Sequence, residues 1–479
     1  MPKFALGPWL GITDQKWSGS QTEFETLQHF DIWTDSYRLI PNRSLEQDEG
    51  EDKAKLITQF AYVSKIYGLG KTGSKLAIYE KSSVDAASWT ASTNGSPSVN
   101  SLAVDGLFKH YKDSLLGVRG TATVWRWQTT GTFTDTVGSL TGTPSYIGQG
   151  LIANDDNFYI PYDYYIAKVD SSFSLSATAL TLPSHLVCRS IENKGNYLAI
   201  GCTGDGLTKN SIMYLWDMIS ADPTERVDWG LEELQVIGNI GGYIVGLSLT
   251  ESSSLASEQY LVVKVWSGGE KATQVASIPL GRTGYSLMKN KFIIGEVMYF
   301  GLNVNSDAED LKGVWSVGQN KTTGEWFVSQ ELKMINDTKI TTLESIFRVA
   351  DYWFIAHSTD GSVEHTNDAA TYAATSTLES SILTDPNGST NNKIKSVSAI
   401  FEALAGGTVT VDVSSNGGSY KTVISTSTTG AVRAEKTKLA SGSPFDEFSY
   451  LQIRVKSTGG AVIHRVVVDY DTGIQSSVK

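Results

Sequence analysis

Residue types that carry chemistry are thinly scattered along this chain. Gly68-Leu69-Gly70-Lys71-Thr72-Gly73 has the glycine spacing of a dinucleotide loop. That loop works only between a strand and a helix N-terminus, where backbone amides meet a pyrophosphate. The next segment, Ser74 to Tyr79, alternates like another strand, so these glycines predict a hairpin turn. The six histidines, His29, His110, His185, His357, His365 and His464, lack H-E-x-x-H spacing and an accompanying carboxylate pattern, so no metal site is expected. Cys188 and Cys202 are the only cysteines. Two thiols make neither a zinc site nor a disulfide scaffold, and they read as free buried groups on adjacent strands, with a single bridge left open. Asn154-Asp155-Asp156-Asn157 and the stretch Asn303 to Asp310 lack the spaced loop and closing Glu of a calcium site, and read as Asx-rich turns. No G-x-S-x-G elbow is present. A glycosidase pair of carboxylates stays open, but no spacing marks one. The expectation is a protein without catalytic residues, cofactor or metal.

The composition narrows the class. The chain has 479 residues, with 39 Lys and Arg against 51 Asp and Glu, a net charge of −12. That balance argues against a basic groove for nucleic acid and against a polybasic membrane patch. Charged residues are only 19% and aromatics are 10%, a mixture suited to strands. The start, Met1 to Gly7, has no apolar core of signal-peptide length, and no apolar run approaches a membrane span. Synthesis in a cytoplasm, without a membrane anchor, is the expectation.

These residues must be positioned by strands. Lys75 to Glu80 and Thr121 to Trp127 alternate with period two, and similar short runs recur throughout, closed by Gly, Asn, Asp or Ser. One strand type repeats, centred on Ile78, Trp125, Ile166, Leu215, Val263, Val314 and Val363, at steps of 41 to 51 residues. Two apolar strands precede each centre and a weaker polar one follows, for example Leu186 to Cys188, Tyr197 to Cys202, Ile212 to Trp216 and Arg226 to Trp229. Four strands per repeat is the pattern of a β-propeller blade, with apolar inner strands and a polar outer one. The fold expected is all-β: a propeller of about seven blades over residues 52–376, then a β-sandwich over 377–479.

Residues 1–51 read as an aromatic arm. Trp9, Trp17, Phe24, Phe30 and Trp33 have no evident core of their own there, so they are expected at an interface with a neighbouring chain, the alternative being that the arm completes a blade. The arm ends in an acidic run. Glu46, Asp48, Glu49, Glu51 and Asp52 are candidates for the rim or lumen of an assembly, with a solvated loop as the equal alternative.

The layout resembles the tail nozzle or hub proteins of short-tailed bacteriophages. The likeness rests on an acidic chain of this length, an aromatic arm ending in Trp33-Thr34-Asp35-Ser36-Tyr37-Arg38-Leu39-Ile40-Pro41-Asn42-Arg43, a degenerate propeller and a terminal sandwich. The strand-turn run from Gly406 to Gly418 adds to it. The resemblance implies a virion protein without catalysis that forms a homo-oligomeric, hexameric tube. Its implied partners are the portal and adaptor ring and tail fibre or needle proteins, with duplex DNA passing through without tight binding. A receptor- or glycan-binding tail protein and a propeller glycosidase or lyase are the alternatives. An enzyme of the last kind should gather polar groups on the propeller axis.

Overall fold

The protein is described by a computed structural model. The described residues are 2–7, 9, 11–12, 21, 23–34, 37–47, 56–59, 66–72, 75–83, 88–91, 108–119, 122–128, 133–204, 210–250, 259–281, 285–304, 311–320, 324–333, 343–349, 352–357, 363–366, 372, 375–386 and 390–472. Among them there are strands and turns and no α-helix. The chain forms two compact units: one of residues 1–45, 315–333 and 367–479, the other of residues 46–314 and 334–366.

The larger unit is a β-propeller. Five of its sheets have four strands each, taken in strict sequence order, and begin at Leu56–Gln59, Phe108–Tyr111, Leu151–Ile152, Leu186–Lys194 and Glu233–Ile240. Tyr285–Ile294 pairs with Val297–Val304 as the start of the sixth repeat. The seventh sheet starts at Leu343–Val349, and its fourth strand is Leu45–Gln47, brought back from the N-terminal side. Each repeat centre read from the sequence falls on the third strand of its repeat, such as Leu215 on Ser211–Trp216 and Val263 on Gln259–Trp266.

Packing makes the sheets a ring. Cross-strand pairing uses up the backbone donors and acceptors, so cohesion between sheets comes from apolar faces laid against each other. Tyr67, Leu69 and Ile78 of the first sheet pack on Leu115, Trp125 and Trp127 of the second. Leu116 and Val118 of the second pack on Phe158 and Ile160 of the third. The series continues between the third and fourth sheets through Tyr159 and Trp216, and between the fourth and fifth through Trp229 and Ile237. The ring closes where Ile66, Tyr79 and Trp89 of the first sheet meet Phe354, Ala356 and Val363 of the seventh.

The core of the propeller therefore lies between blades. The inner strands were expected to be apolar because they line the centre. They are apolar only on the faces that meet neighbouring blades, and charged side chains project from them elsewhere. The glycine-rich stretch forms a hairpin as expected, with Ile66–Thr72 against Lys75–Lys81 and Thr72 opposite Lys75.

In the smaller unit, Lys3–Leu6 pairs with Ile463–Asp471, which pairs with Asn392–Phe401. A second sheet runs from Trp326–Lys333 through Glu23–Gln28 and Ser376–Ser380 to Tyr450–Thr458, Thr408–Ser415 and Lys421–Thr426. One core joins the two sheets, with Phe4, Leu6, Phe24 and Phe30 from the N-terminal residues beside Val411, Ile453, Val466 and Val468. The N-terminal segment is thus built into this unit, which corrects its reading as an arm without a core.

Candidate functional site

Three inner strands of the propeller carry charged side chains near their ends: Lys109 on Phe108–Tyr111, Glu192 on Leu186–Lys194 and Lys291 on Tyr285–Ile294. Lys291 Nζ lies 2.7 Å from Glu192 Oε2. It also donates to the backbone carbonyl of Ile191, at 3.1 Å, and to that of Ile237. Lys291 on the sixth repeat thus ties to the first strands of the fourth and fifth repeats as well, holding three consecutive inner strands together. Burial pushes the Lys109 amine below its usual range, and the positive charge of Lys291 adds to this while Glu192 opposes it.

A second group involves the same strands. Arg189 Nη2 is 2.9 Å from Glu233 Oε1, and its guanidinium stacks on the Tyr146 ring at 4.6 Å. Lys289 Nζ lies 4.6 Å from the same ring. The Tyr146 hydroxyl donates to the Arg189 carbonyl at 3.0 Å. Burial pushes this phenol up to about 12, against the lowering effect of Arg189. The phenol stays protonated at neutral pH and serves as a donor. Glu192 and Glu233 are each held by a cation, and the rings and carbonyls occupy the rest. The arrangement locks neighbouring inner strands together and leaves neither carboxylate free of a bound cation.

The sequence reading missed this cluster because it treated inner strands as uniformly apolar. A signal was present: Lys291 immediately precedes the apolar run Phe292 to Ile294, and Lys109 and Glu192 each directly follow an apolar residue of a first strand.

The expected interface residues lie elsewhere. Trp9, Phe24 and Phe30 are fully buried in the core of the smaller unit, and the rings of Trp9 and Phe24 are 5.5 Å apart. Trp33 is half-buried against that core, and its indole N–H is shared between Ser316 Oγ and Glu331 Oε1, both at 2.8 Å. Trp17 lies outside the described residues. So do Asp48, Glu49, Glu51 and Asp52, while the backbone of Glu46 is part of the strand Leu45–Gln47 that completes the seventh sheet. Among the described residues, Trp9, Phe24, Phe30 and Trp33 gather at the core of the smaller unit.

The remaining candidates resolve locally. Cys188 and Cys202 are paired across adjacent strands as free, buried thiols with their sulfurs 3.8 Å apart. Burial raises the Cys188 thiol well above its usual range, which disfavours the nucleophilic thiolate. Asp155 closes an Asx turn by accepting from the Asn157 amide N–H at 3.1 Å. Among the described residues no cluster of His, Cys, Asp and Glu has the geometry to hold a metal ion.

No protein-family model matches the chain, and no curated protein sequence does. Solved propeller structures are similar in outline. The structure described as YCF48 bound to D1 peptide is 10% identical, with a TM-score of 0.47, over 71% of this chain and 99% of that one. The WD40 domain of coronin from Toxoplasma gondii is 11% identical, with a TM-score of 0.44, over 71% and 87%. The Dos1 propeller is 11% identical, with a TM-score of 0.39, over 68% and 94%. The ring of sheets itself defines this chain as a β-propeller protein.

Proposed function

We propose that the chain is a non-catalytic structural protein of a phage tail. In this reading its copies form an oligomeric nozzle, a hexameric ring, through which DNA is retained and ejected. The observation that carries the non-catalytic part is the pairing of the axial charges. A general acid or base works by exchanging a proton with substrate, and here the two carboxylates are engaged by cations instead, Glu192 by Lys291 and Glu233 by Arg189. The tail setting is supported by the layout of the chain and its net charge of −12, which repels a passing duplex. The DNA path would then be enclosed by the ring of chains. The partners follow from the setting: further copies of this chain, the portal and adaptor ring, and tail fibre or needle proteins of the virion.

Light scattering and negative-stain imaging of the purified chain test the assembly. A closed ring of six is the expected result, and a monomer at all concentrations overturns it. Duplex binding at low salt tests the passive conduit, because phosphate contacts are strongest there. Negligible binding is expected, and salt-sensitive, sub-micromolar affinity would contradict the proposal.

One observation favours a second reading, a propeller glycosidase or lyase: polar groups do converge on the axis. A hydrolase and lyase screen separates the two. Turnover that is lost in Glu192→Gln would carry the enzymatic reading. The third possibility, a glycan-binding tail protein, is read on a glycan array.

A further inference from the structure

Within each propeller sheet the strands follow one another antiparallel, so the turn after the first strand and the turn after the third lie at the same end. The connection from a fourth strand to the next sheet lies at the opposite end. Exposed large apolar side chains gather at the first of these ends. Tyr197, 40% exposed, follows the first turn of the fourth sheet, and Ile219, 89% exposed, is in the turn after its third strand. Ile294 and Ile152, 40% and 37% exposed, end the first strands of the sixth and third repeats. Single exposed apolar residues are ordinary, but four at one end, spread over the third, fourth and sixth repeats, give that end several apolar points of contact.

This end is also rigid. Asn193 Nδ2 donates to the Ile152 carbonyl at 3.0 Å, and Asn239 Nδ2 donates to the Asn193 carbonyl at 2.7 Å, so consecutive blades are tied turn to turn. The Tyr111 hydroxyl extends the tie to the Asp156 carbonyl at 2.8 Å. In the Ile219 turn, Asp217 Oδ1 accepts from the backbone N–H of Ile219 at 3.0 Å and of Ser220 at 2.7 Å. That turn holds the isoleucine out in water before any partner arrives, so little ordering is required on binding.

The same turns are acidic. Asp113, Asp155, Asp156, Asp170, Asp217, Asp222, Glu270 and Glu296 lie on the described turns at this end, against Lys112, Lys194 and Lys271. The Ser220 hydroxyl and neighbouring amides keep the Asp217 carboxyl below the usual carboxylate range, so its charge persists at mildly acidic pH.

We propose that this end of the propeller docks a protein segment that is both basic and apolar, with Lys or Arg interspersed among aliphatic or aromatic side chains. Apolar knobs set in a negative field complement such a segment and repel nucleic acid and anionic lipid. The proposal is independent of the tail setting.

The experiment uses the full chain and two fluorescein-labelled peptides, one alternating lysine and leucine, the other glutamate and leucine. The lysine peptide is expected to bind and the glutamate peptide is not. Ile219→Lys and Tyr197→Lys should each weaken binding about tenfold, the size of a substantial interface contact. Leu231→Lys is the control. Leu231 is 74% exposed in the connection leading to the fifth sheet, at the opposite end, and the substitution adds the same charge. It should leave the affinity within about twofold, because contacts away from an interface contribute little. All three positions are exposed, and an unchanged melting temperature verifies each fold. No binding of the lysine peptide, equal binding of both peptides, or an equal loss from Leu231→Lys overturns the proposal.

Discussion

At the scale of single residues, Glu331 couples stability to pH. It is buried in the smaller unit on Trp326–Lys333 and accepts from the Ser316 hydroxyl at 2.5 Å and from the Trp33 indole at 2.8 Å. Asn42 Nδ2 donates to its carboxylate Oε2 at 3.4 Å and to its backbone carbonyl at 2.8 Å. Burial and the nearby Asp31 raise the Glu331 carboxyl to about 7, against these hydrogen bonds, which lower it. A raised folded-state value means the native state holds the proton more tightly than the unfolded chain. The stabilisation is therefore complete below the unfolded value, near 4.5, and is lost as pH rises through about 7. A shift of this size corresponds to about 3 kcal/mol at most. Glu331→Gln should remove that component, so the stability difference between wild type and variant should move by up to this amount from acid to mildly alkaline pH. Thermal or denaturant unfolding across that range measures it, and a pH-independent difference would count against a proton on Glu331. Sequence alone marks Trp33 as an exposed anchor awaiting a partner chain. Its partner is a buried carboxylate almost 300 positions away, and nothing local in either segment announces that pairing.

Elements were legible in proportion to how local their pairing is. The third strand of every repeat stood out because period-two alternation, β-branched residues and a closing turn coincide within a few residues, as in Thr123–Gln128 with its buried Trp125 and Trp127. Glu23–Gln28 was illegible as a sheet strand because its partner, Ser376–Ser380, lies some 350 residues on. The axial charges were hidden by the same averaging that made inner strands look apolar. Glycine placement within an element also has a physical reason that composition does not give. Gly117 sits directly opposite Trp125, and a Cβ at Gly117 would come within 2.2 Å of the indole. The indole is fully buried against the first sheet and has no free space to retreat into. Gly117→Ala should therefore destabilise the propeller by about 1–3 kcal/mol, the usual cost of overpacking, despite the better strand propensity of alanine. Denaturant titration reads this directly. An unchanged midpoint would show that the ring moves aside, and that the second blade is looser than its packing implies.

At the scale of the whole chain, the N-terminal residues have two separable structural tasks, and truncation can tell them apart. Residues 1–44 supply Lys3–Leu6 and Glu23–Gln28 to the sheets of the smaller unit, and Phe4, Leu6, Trp9, Phe24, Leu27 and Phe30 to its core. Each such side chain contributes about 1.5–3 kcal/mol by burial, so together they rival the 5–15 kcal/mol that typically holds a domain folded. Leu45–Gln47, just beyond, completes the seventh propeller sheet beside Val363–Thr366. Deleting 1–44 should therefore strip the smaller unit of that core, while the five complete four-stranded propeller sheets, all within residues 46–314, stay folded. Deleting 1–47 should in addition expose the edge of the seventh sheet, while the apolar layer joining the seventh sheet to the first remains. Amide hydrogen exchange resolves both effects. After the shorter deletion, protection should vanish in Asn392–Phe401 and Tyr450–Thr458 and persist in Leu186–Lys194 and Glu233–Ile240. After the longer one, protection should also fall in Val363–Thr366. If Tyr450–Thr458 stays protected without residues 1–44, the aromatic residues of the N-terminal segment are dispensable to the core, and their place at an interface between chains becomes the better account.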